Sequence, residues 1–243
     1  MDKRSVAVGT YTIHVRSVGT PTKTTLVLVH GLGVSGDYYL QYADQLSADF
    51  DIHILDLPGY GKTPKPKAAL TIRQLARVVE QYCILLGLDK PSLVGQSMGA
   101  QIVAHAAAQS PMLFRSIILI GPTSNKKERV LPMQAFRLAQ DTFREKLKTN
   151  RIVFVNYLRM GMFRYLATAK DMVNDHLEVT LLRVPVPVLV VYGSEDPFVP
   201  KDWAEKLAAA APLGSAIAVN GAPHLVQMDK PGELAAITRR FLQ

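Results

Sequence analysis

Enzymes that cut acyl bonds through a covalent step need a nucleophile, a base that takes its proton and an acid that orients the base. A candidate nucleophile stands in GQSMG (95–99), where Ser97 lies between two glycines at two-residue spacing. By chance alone, such a G-x-S-x-G pattern arises in roughly one chain in twenty of this composition, so its surroundings must decide. Ser97 follows directly on PSLVGQ (91–96), a short strand-like run, and precedes a small-residue helix predicted over Met98–Gln109. A serine between a strand and a helix sits on a sharp turn that exposes its hydroxyl. The same turn forces the backbone close to its neighbours, which is why Gly95 and Gly99 must lack a Cβ. The helix N-terminus adds N–H groups that favour negative charge.

The base must come from six histidines: His14, His30, His53, His105, His176 and His224. His14 and His53 lie within alternating strands and read as structural. His105 is in the helix after Ser97, and His176 falls in a helical segment far from any strand end. His224, in NGAPHLVQM, follows the last apolar strand and precedes the last helix, so it lies at the same sheet edge as Ser97. The orienting acid should follow another strand. VVYGSEDPFVP offers Glu195 and Asp196 in one turn, with Asp196 preferred and Glu195 the runner-up. Ser97, Asp196 and His224 follow the chain order serine, acid, histidine. For the oxyanion, LVLVHGLGVSG places His30-Gly31-Leu32-Gly33 at a third strand end, where the Leu32 and Met98 backbone N–H groups are the natural donors.

These residues require a scaffold that brings loops from several strands to one edge. Runs rich in Val, Ile and Leu at 24–30, 51–57, 91–96, 115–121, 187–193 and 215–221 read as strands. Four are almost continuously apolar, as central strands covered on both faces must be. Helices are predicted over Tyr39–Ala48, Thr71–Leu86, Met98–Gln109, Asp202–Ala210 and Pro231–Leu242. The second of these carries Ile72, Leu75, Val79, Tyr82 and Leu86 at three- and four-residue steps. The N-terminal 19 residues alternate apolar and polar, as a pair of strands does. Strands alternating with helices imply an α/β fold with a mostly parallel sheet and helices on both faces. The alternation breaks between about Pro122 and Arg183. There LPMQAFRLAQDTFREKLK and IVFVNYLRMGMFRYLATAKDMVNDHLEV read as helices that cap the ligand-binding edge. The expected division is a core of 1–121 and 184–243 with a helical cap over 122–183.

The motifs HGLG (30–33), DLPGYG (56–61), GQSMG (95–99), GSEDPFVP (193–200) and GAPH (221–224), in this order, resemble the α/β-hydrolase superfamily over essentially the whole chain. The resemblance implies an eight-stranded, mostly parallel sheet with a cap inserted after the sixth strand. It implies Ser97 as nucleophile, Asp196 as acid, His224 as base and the Leu32 and Met98 N–H groups as oxyanion hole. His30 takes the family's structural role of bracing the oxyanion loop. Dehalogenase and epoxide-hydrolase branches usually carry Asp where this chain has Ser97. The branch that cleaves C–C bonds in ring-fission products often has Trp directly after the catalytic histidine, a pattern from which Leu225 departs.

The expected reaction is hydrolysis of a carboxylic ester, or a related acyl bond, of a small to medium, partly apolar substrate, with no metal and no organic cofactor. Thioesterase, lactonase and C–C hydrolase are the alternatives within the fold. A receptor-like binding protein, a lyase and an oxygenase are the alternatives outside hydrolysis. Candidates for the substrate pocket are Met133, Phe136, Tyr157, Met162 and Leu225. Arg159 and Arg164 are placed to meet a substrate carboxylate or to be solvated.

Of the net charge of +8, +6 falls within 122–183. A basic segment can attract an anion, but a solvated helical face is the simpler reading, and no nucleic-acid-binding motif accompanies it. The lone Cys83 excludes an intrachain disulfide and reads as a buried, inert thiol. No apolar run approaches the roughly 18 residues of a membrane helix, and the alternating N-terminus lacks a signal-peptide core. The expected location is the cytoplasm, with a small-molecule substrate and neither a nucleic-acid nor a membrane partner.

Overall fold

The computed structural model describes residues 1–123 and 160–243. Eight strands form one sheet: β1 (Asp2–Val8), β2 (Tyr11–Val18), β3 (Thr25–Val29), β4 (Asp51–Asp56), β5 (Ser92–Gln96), β6 (Ile117–Ile120), β7 (Val188–Gly193) and β8 (Gly214–Val219). Their spatial order is β1-β2-β4-β3-β5-β6-β7-β8. β2 runs antiparallel to both its neighbours, and every pairing from β4 to β8 is parallel. The apolar runs of the sequence are the central strands, and every residue of β3 through β7 is buried.

Strand periodicity divides the core into two layers. Val27, Val29, Leu93, Ile117, Leu119, Val188 and Val190 face one side, packed with α2 (Ile72–Leu85), α3 (Met98–Gln109) and α6 (Lys201–Ala210). Leu26, Leu28, Val94, Ile118, Ile120, Leu189 and Val191 face the other, packed with α1 (Leu40–Leu46), the short α7 (Val226–Asp229) and α8 (Pro231–Leu242). Alternate residues point to opposite faces of a strand, so each short run feeds both layers.

The predicted helices form with adjusted ends. The first begins with a 3₁₀ turn at Gly36–Tyr39 before α1. α2 opens on a capping box in which the Thr71 hydroxyl accepts from Gln74 N–H and the Gln74 side chain accepts from Thr71 N–H. Cys83 lies on the buried side of α2, and burial, with the Glu80 charge second, pushes its thiol up to about 12. The long helical reading over 152–179 divides. Gly161, at φ +87°, precedes α4 (Met162–Asn174), and Asp175 and His176 separate α4 from α5 (Leu177–Leu181). Met172, Val173, Leu177, Leu181 and Val184 join the core layer of α2 and α3. The helix expected at 131–148 lies outside the described residues.

Candidate active site

Ser97 occupies the turn between β5 and α3 at φ +56°, ψ −118°. A non-glycine residue there is strained by on the order of 1–3 kcal/mol and holds only where its surroundings enforce it. The enforcement is visible at the flanking glycines. A Cβ on Gly95 would lie 2.2 Å from Gly99 O, and one on Gly99 would lie 2.2 Å from Val29 O. Ser97 N–H also donates to Ile120 O at 2.9 Å, which ties the turn to the end of β6.

The acid and the base occupy the next two strand ends. His224 Nδ1 and Asp196 Oδ2 are 2.8 Å apart, and the Asp196 side chain is fully buried. Asp196 Oδ1 accepts from Phe198 N–H at 2.8 Å and from Val199 N–H at 3.3 Å. That leaves Oδ2 for the imidazole and implies a proton on Nδ1. Phe198 packs on the ring, with centroids 4.6 Å apart. The two loops are fused, since Glu195 N–H donates to Ala222 O at 3.0 Å. The structure thus separates the two adjacent acids: Asp196 turns inward to His224, and the Glu195 residue is exposed. The His224 ring lies against the end of β6, where a Cβ on Gly121 would meet its Cε1 and Nδ1 at 3.1 Å.

Two backbone N–H groups were expected to complete the site. Met98 is the first residue of α3, so its N–H has no intrahelical partner. Leu32 is half-buried in the loop after β3. His30, fully buried, holds that loop: Leu57 N–H donates to His30 Nε2 at 3.0 Å, and His30 Nδ1 lies 2.8 Å from Gly31 O. An accepting Nε2 puts the proton on Nδ1, which then donates to the Gly31 carbonyl. Across a trans peptide the next N–H points the opposite way, so this bond directs Leu32 N–H away from His30. Burial pushes the His30 pKa below 6.5, which keeps the ring neutral as the two bonds require.

A buried ion pair supports these loops. Arg16 reaches both oxygens of Asp56, at 2.9 and 3.3 Å. Asp56 also accepts from Gly36 N–H at 2.8 Å and Lys62 N–H at 2.9 Å. Burial raises the Asp56 pKa, but the Arg16 hydrogen bond and charge outweigh it and hold the carboxyl below 3.8. In the sequence Arg16 reads as one polar member of an alternating strand. The only signal for it was the aspartate that opens DLPGYG.

Of the other histidines, His53 bonds Tyr82 at 2.7 Å and Asp51 at 3.2 Å, and His105 bonds Asp175 at 2.6 Å. Neither lies at the Ser97 edge. Of the pocket candidates, Leu225 is buried beside His224, and Met162 is 69% exposed at the start of α4. Met133, Phe136 and Tyr157 lie outside the described residues, as does Arg159. Arg164 donates to Pro66 O at 2.6 Å and Ala68 O at 3.0 Å, so its guanidinium fastens the loop before α2 to α4. Among the described residues no group of three or more His, Cys, Asp or Glu side chains could hold a metal ion.

The model of the alpha/beta hydrolase family matches residues 26–237. This chain belongs to the alpha/beta hydrolase family. The chain is 26% identical over 240 residues to the dihydrolipoyllysine-residue acetyltransferase component of the acetoin cleaving system of Cupriavidus necator. That alignment takes in 90% of this chain but only 63% of the relative, less than two thirds of its length. Over 219 residues it is 28% identical to a pimeloyl-[acyl-carrier protein] methyl ester esterase of Vibrio atlanticus, covering 77% of this chain and 82% of that one. Over 231 residues it is 28% identical to a 2-hydroxy-6-oxononadienedioate/2-hydroxy-6-oxononatrienedioate hydrolase of Paraburkholderia phymatum, covering 82% and 80%. Among the described residues, no helix is long and apolar enough to cross a membrane.

Proposed function

We propose that the chain is a serine hydrolase that cleaves a carboxylic ester of a small to medium, partly apolar substrate through an acyl-enzyme. The reading rests above all on the 2.8 Å contact of His224 Nδ1 with a buried Asp196, made by the loops after β8 and β7 on the same sheet edge as a serine held at positive φ after β5. Ser97 Oγ attacks the acyl carbon as its proton passes to His224 Nε2. The carbonyl π electrons move onto oxygen, and the Leu32 and Met98 N–H groups hold that oxyanion. Asp196 keeps Nδ1 protonated, so Nε2 is the basic nitrogen, and it stabilises the imidazolium that forms. Collapse of the oxyanion expels the alkoxide, which takes the proton from Nε2. Water, deprotonated by the same nitrogen, then adds to the acyl-enzyme, and collapse returns Ser97 and releases the acid. The segment 122–183 acts as a cap that selects the acyl group.

The test is a panel of p-nitrophenyl esters and acyl thioesters of graded chain length, with Ser97→Ala as control. Turnover of at least one ester class and a loss of kcat of about 10³-fold or more in Ser97→Ala are expected. A Ser97→Ala protein that keeps most of its activity refutes the assignment. Steady-state turnover also separates this reading from a receptor, which would give a single burst or nothing.

A further inference from the structure

Gln96 ends β5, immediately before the proposed nucleophile, and is 1% exposed. Neither its position nor its type is needed by the chemistry just described. Its two amide atoms nonetheless reach in opposite directions. Oε1 accepts from the Tyr38 hydroxyl at 3.2 Å, and that hydroxyl oxygen accepts from Gly31 N–H at 2.7 Å. Nε2 donates to the backbone carbonyl of His224 at 3.4 Å. The directions are forced. A hydroxyl has one proton to give, and a backbone carbonyl can only accept. The result is a polar chain from Gly31 N–H through Tyr38 and Oε1, continued from Nε2 to His224 O. Burial holds the Tyr38 phenol well above the ordinary tyrosine range, so its proton is retained.

Gly31 is thereby held on both sides, its N–H by Tyr38 and its carbonyl by His30. A side chain at position 31 could not fit beside this arrangement, because its Cβ would lie 2.8 Å from Gln96 Oε1. The peptide that follows carries Leu32 N–H. The far end of the chain holds the backbone of the residue whose ring is the proposed base.

We infer that Gln96 is a positioning residue: its amide clamps the oxyanion loop to the histidine loop and so fixes the separation of Leu32 N–H and the His224 imidazole across Ser97. The inference rests on the serine hydrolase reading above. Gln96 touches no reacting atom. Misplacing pre-set donors by about 1 Å costs on the order of 10²-fold in rate, so a clamp of this kind shows in kcat and leaves KM alone.

The experiment compares wild type, Ser97→Ala, Gln96→Met, Tyr38→Phe and the Gln96→Met/Tyr38→Phe double variant. Readouts are kcat and KM on the best p-nitrophenyl ester, the rate of Ser97 labelling by a fluorophosphonate, and the melting temperature. Gln96→Met is expected to lower kcat and the labelling rate together by roughly 10- to 100-fold, with KM within twofold. Tyr38→Phe is expected to lose about 10-fold. The double variant should be no worse than Gln96→Met, because residues that act as one unit are not additive. A folded Gln96→Met with kcat within twofold of wild type overturns the inference, as does a loss confined to KM or a double variant whose losses multiply. If Gln96→Met does not fold, Tyr38→Phe decides, and kcat within twofold of wild type overturns the clamp. A wild type without Ser97-dependent turnover overturns the hydrolase reading and the clamp with it. An active wild type with unimpaired clamp variants overturns the clamp alone.

Discussion

Replacing Gly99 with alanine tests the geometry of the turn at its tightest point. The added carbon would lie 2.2 Å from Val29 O and 2.8 Å from His30 O, both backbone atoms that no rotamer change can remove. Ordinary van der Waals contact begins near 3.4 Å, so the start of α3 and the end of β3 must separate by about 1.2 Å. These two segments carry Met98 N–H and the loop of Leu32 N–H, so the separation opens the proposed oxyanion hole directly. A displacement of about 1 Å corresponds to roughly a 10²-fold loss of kcat. Overpacking costs about 1–3 kcal/mol, which in a chain of this length lowers Tm by roughly 2–12 °C. Gly232→Ala is the matched control. It lies in the first turn of α8 with nothing within 4 Å of its added carbon, and the better helix former should leave Tm unchanged or raise it slightly. The assay is ester turnover with thermal melts of both variants. A Gly99→Ala protein with kcat within threefold of wild type and an unshifted Tm would refute the reasoning, because it would mean that the backbone contact at position 99 does not constrain the turn.

Asp196→Asn reverses the imidazole tautomer. Phe198 and Val199 N–H groups hold the atom at Oδ1, so the asparagine oxygen must take that place and its NH₂ must face His224 Nδ1. Nδ1 is then an acceptor and Nε2 carries the proton; kcat should fall on the order of 10⁴-fold with Tm nearly unchanged, and a loss under tenfold would count against the assignment. Acid should weaken the fold in two steps. Burial depresses His30 and His53 below 6.5, so the unfolded chain takes up protons first, and stability complete above that pH declines as pH falls below it. Asp56, depressed by Arg16 against its burial, adds stability that is present above 3.8 and lost as pH falls through its lower folded value. Urea midpoints at pH 7.5 and 5.5 measure the first step and at pH 4.5 and 2.5 the second, and a flat midpoint from 7.5 to 5.5 contradicts the first. Arg164→Ala releases the Pro66 and Ala68 carbonyls, so trypsin should cut after Lys67 faster than in wild type. An unchanged cleavage rate there would show that the bonds do not hold the loop.

Strand periodicity and strand-end glycines made the sheet legible. Each apolar run from 24 to 193 is a buried strand, because parallel strands covered on both faces admit little else. The loops that meet at the site were legible for the same reason, since in a parallel sheet every strand ends on one edge. What escaped depended on partners distant in sequence. The sequence preferred Asp196 to its neighbour Glu195, but the inward turn of that carboxylate to His224 is not written in any local pattern. The helical reading over 152–179 gave no sign of where α4 begins, which is set by Gly161 at positive φ just before it. The bonds from His105 to Asp175 and from Gln101 to Met172 O join α3 to α4 and to the residue that ends it, with no local signature on either side. The pocket expectations at Met133, Phe136 and Tyr157 fall outside the described residues, whereas Arg164 serves the loop beside it.

The Arg16–Asp56 pair bears on which sequences this fold can reach by mutation. Losing Arg16 strands the buried Asp56 carboxylate, at about 3–5 kcal/mol, whereas losing Asp56 leaves Arg16 its 2.7 Å contact with Asp37, and apolar replacement of both partners of such a pair is often harmless. Here that last route is closed, because Asp56 also receives the Gly36 and Lys62 N–H groups, which a hydrocarbon at position 56 would leave buried without an acceptor. An acceptor at position 56 is therefore the stricter of the two requirements. Folded clones from a combinatorial library that varies both positions should be enriched in residues that keep an acceptor at position 56.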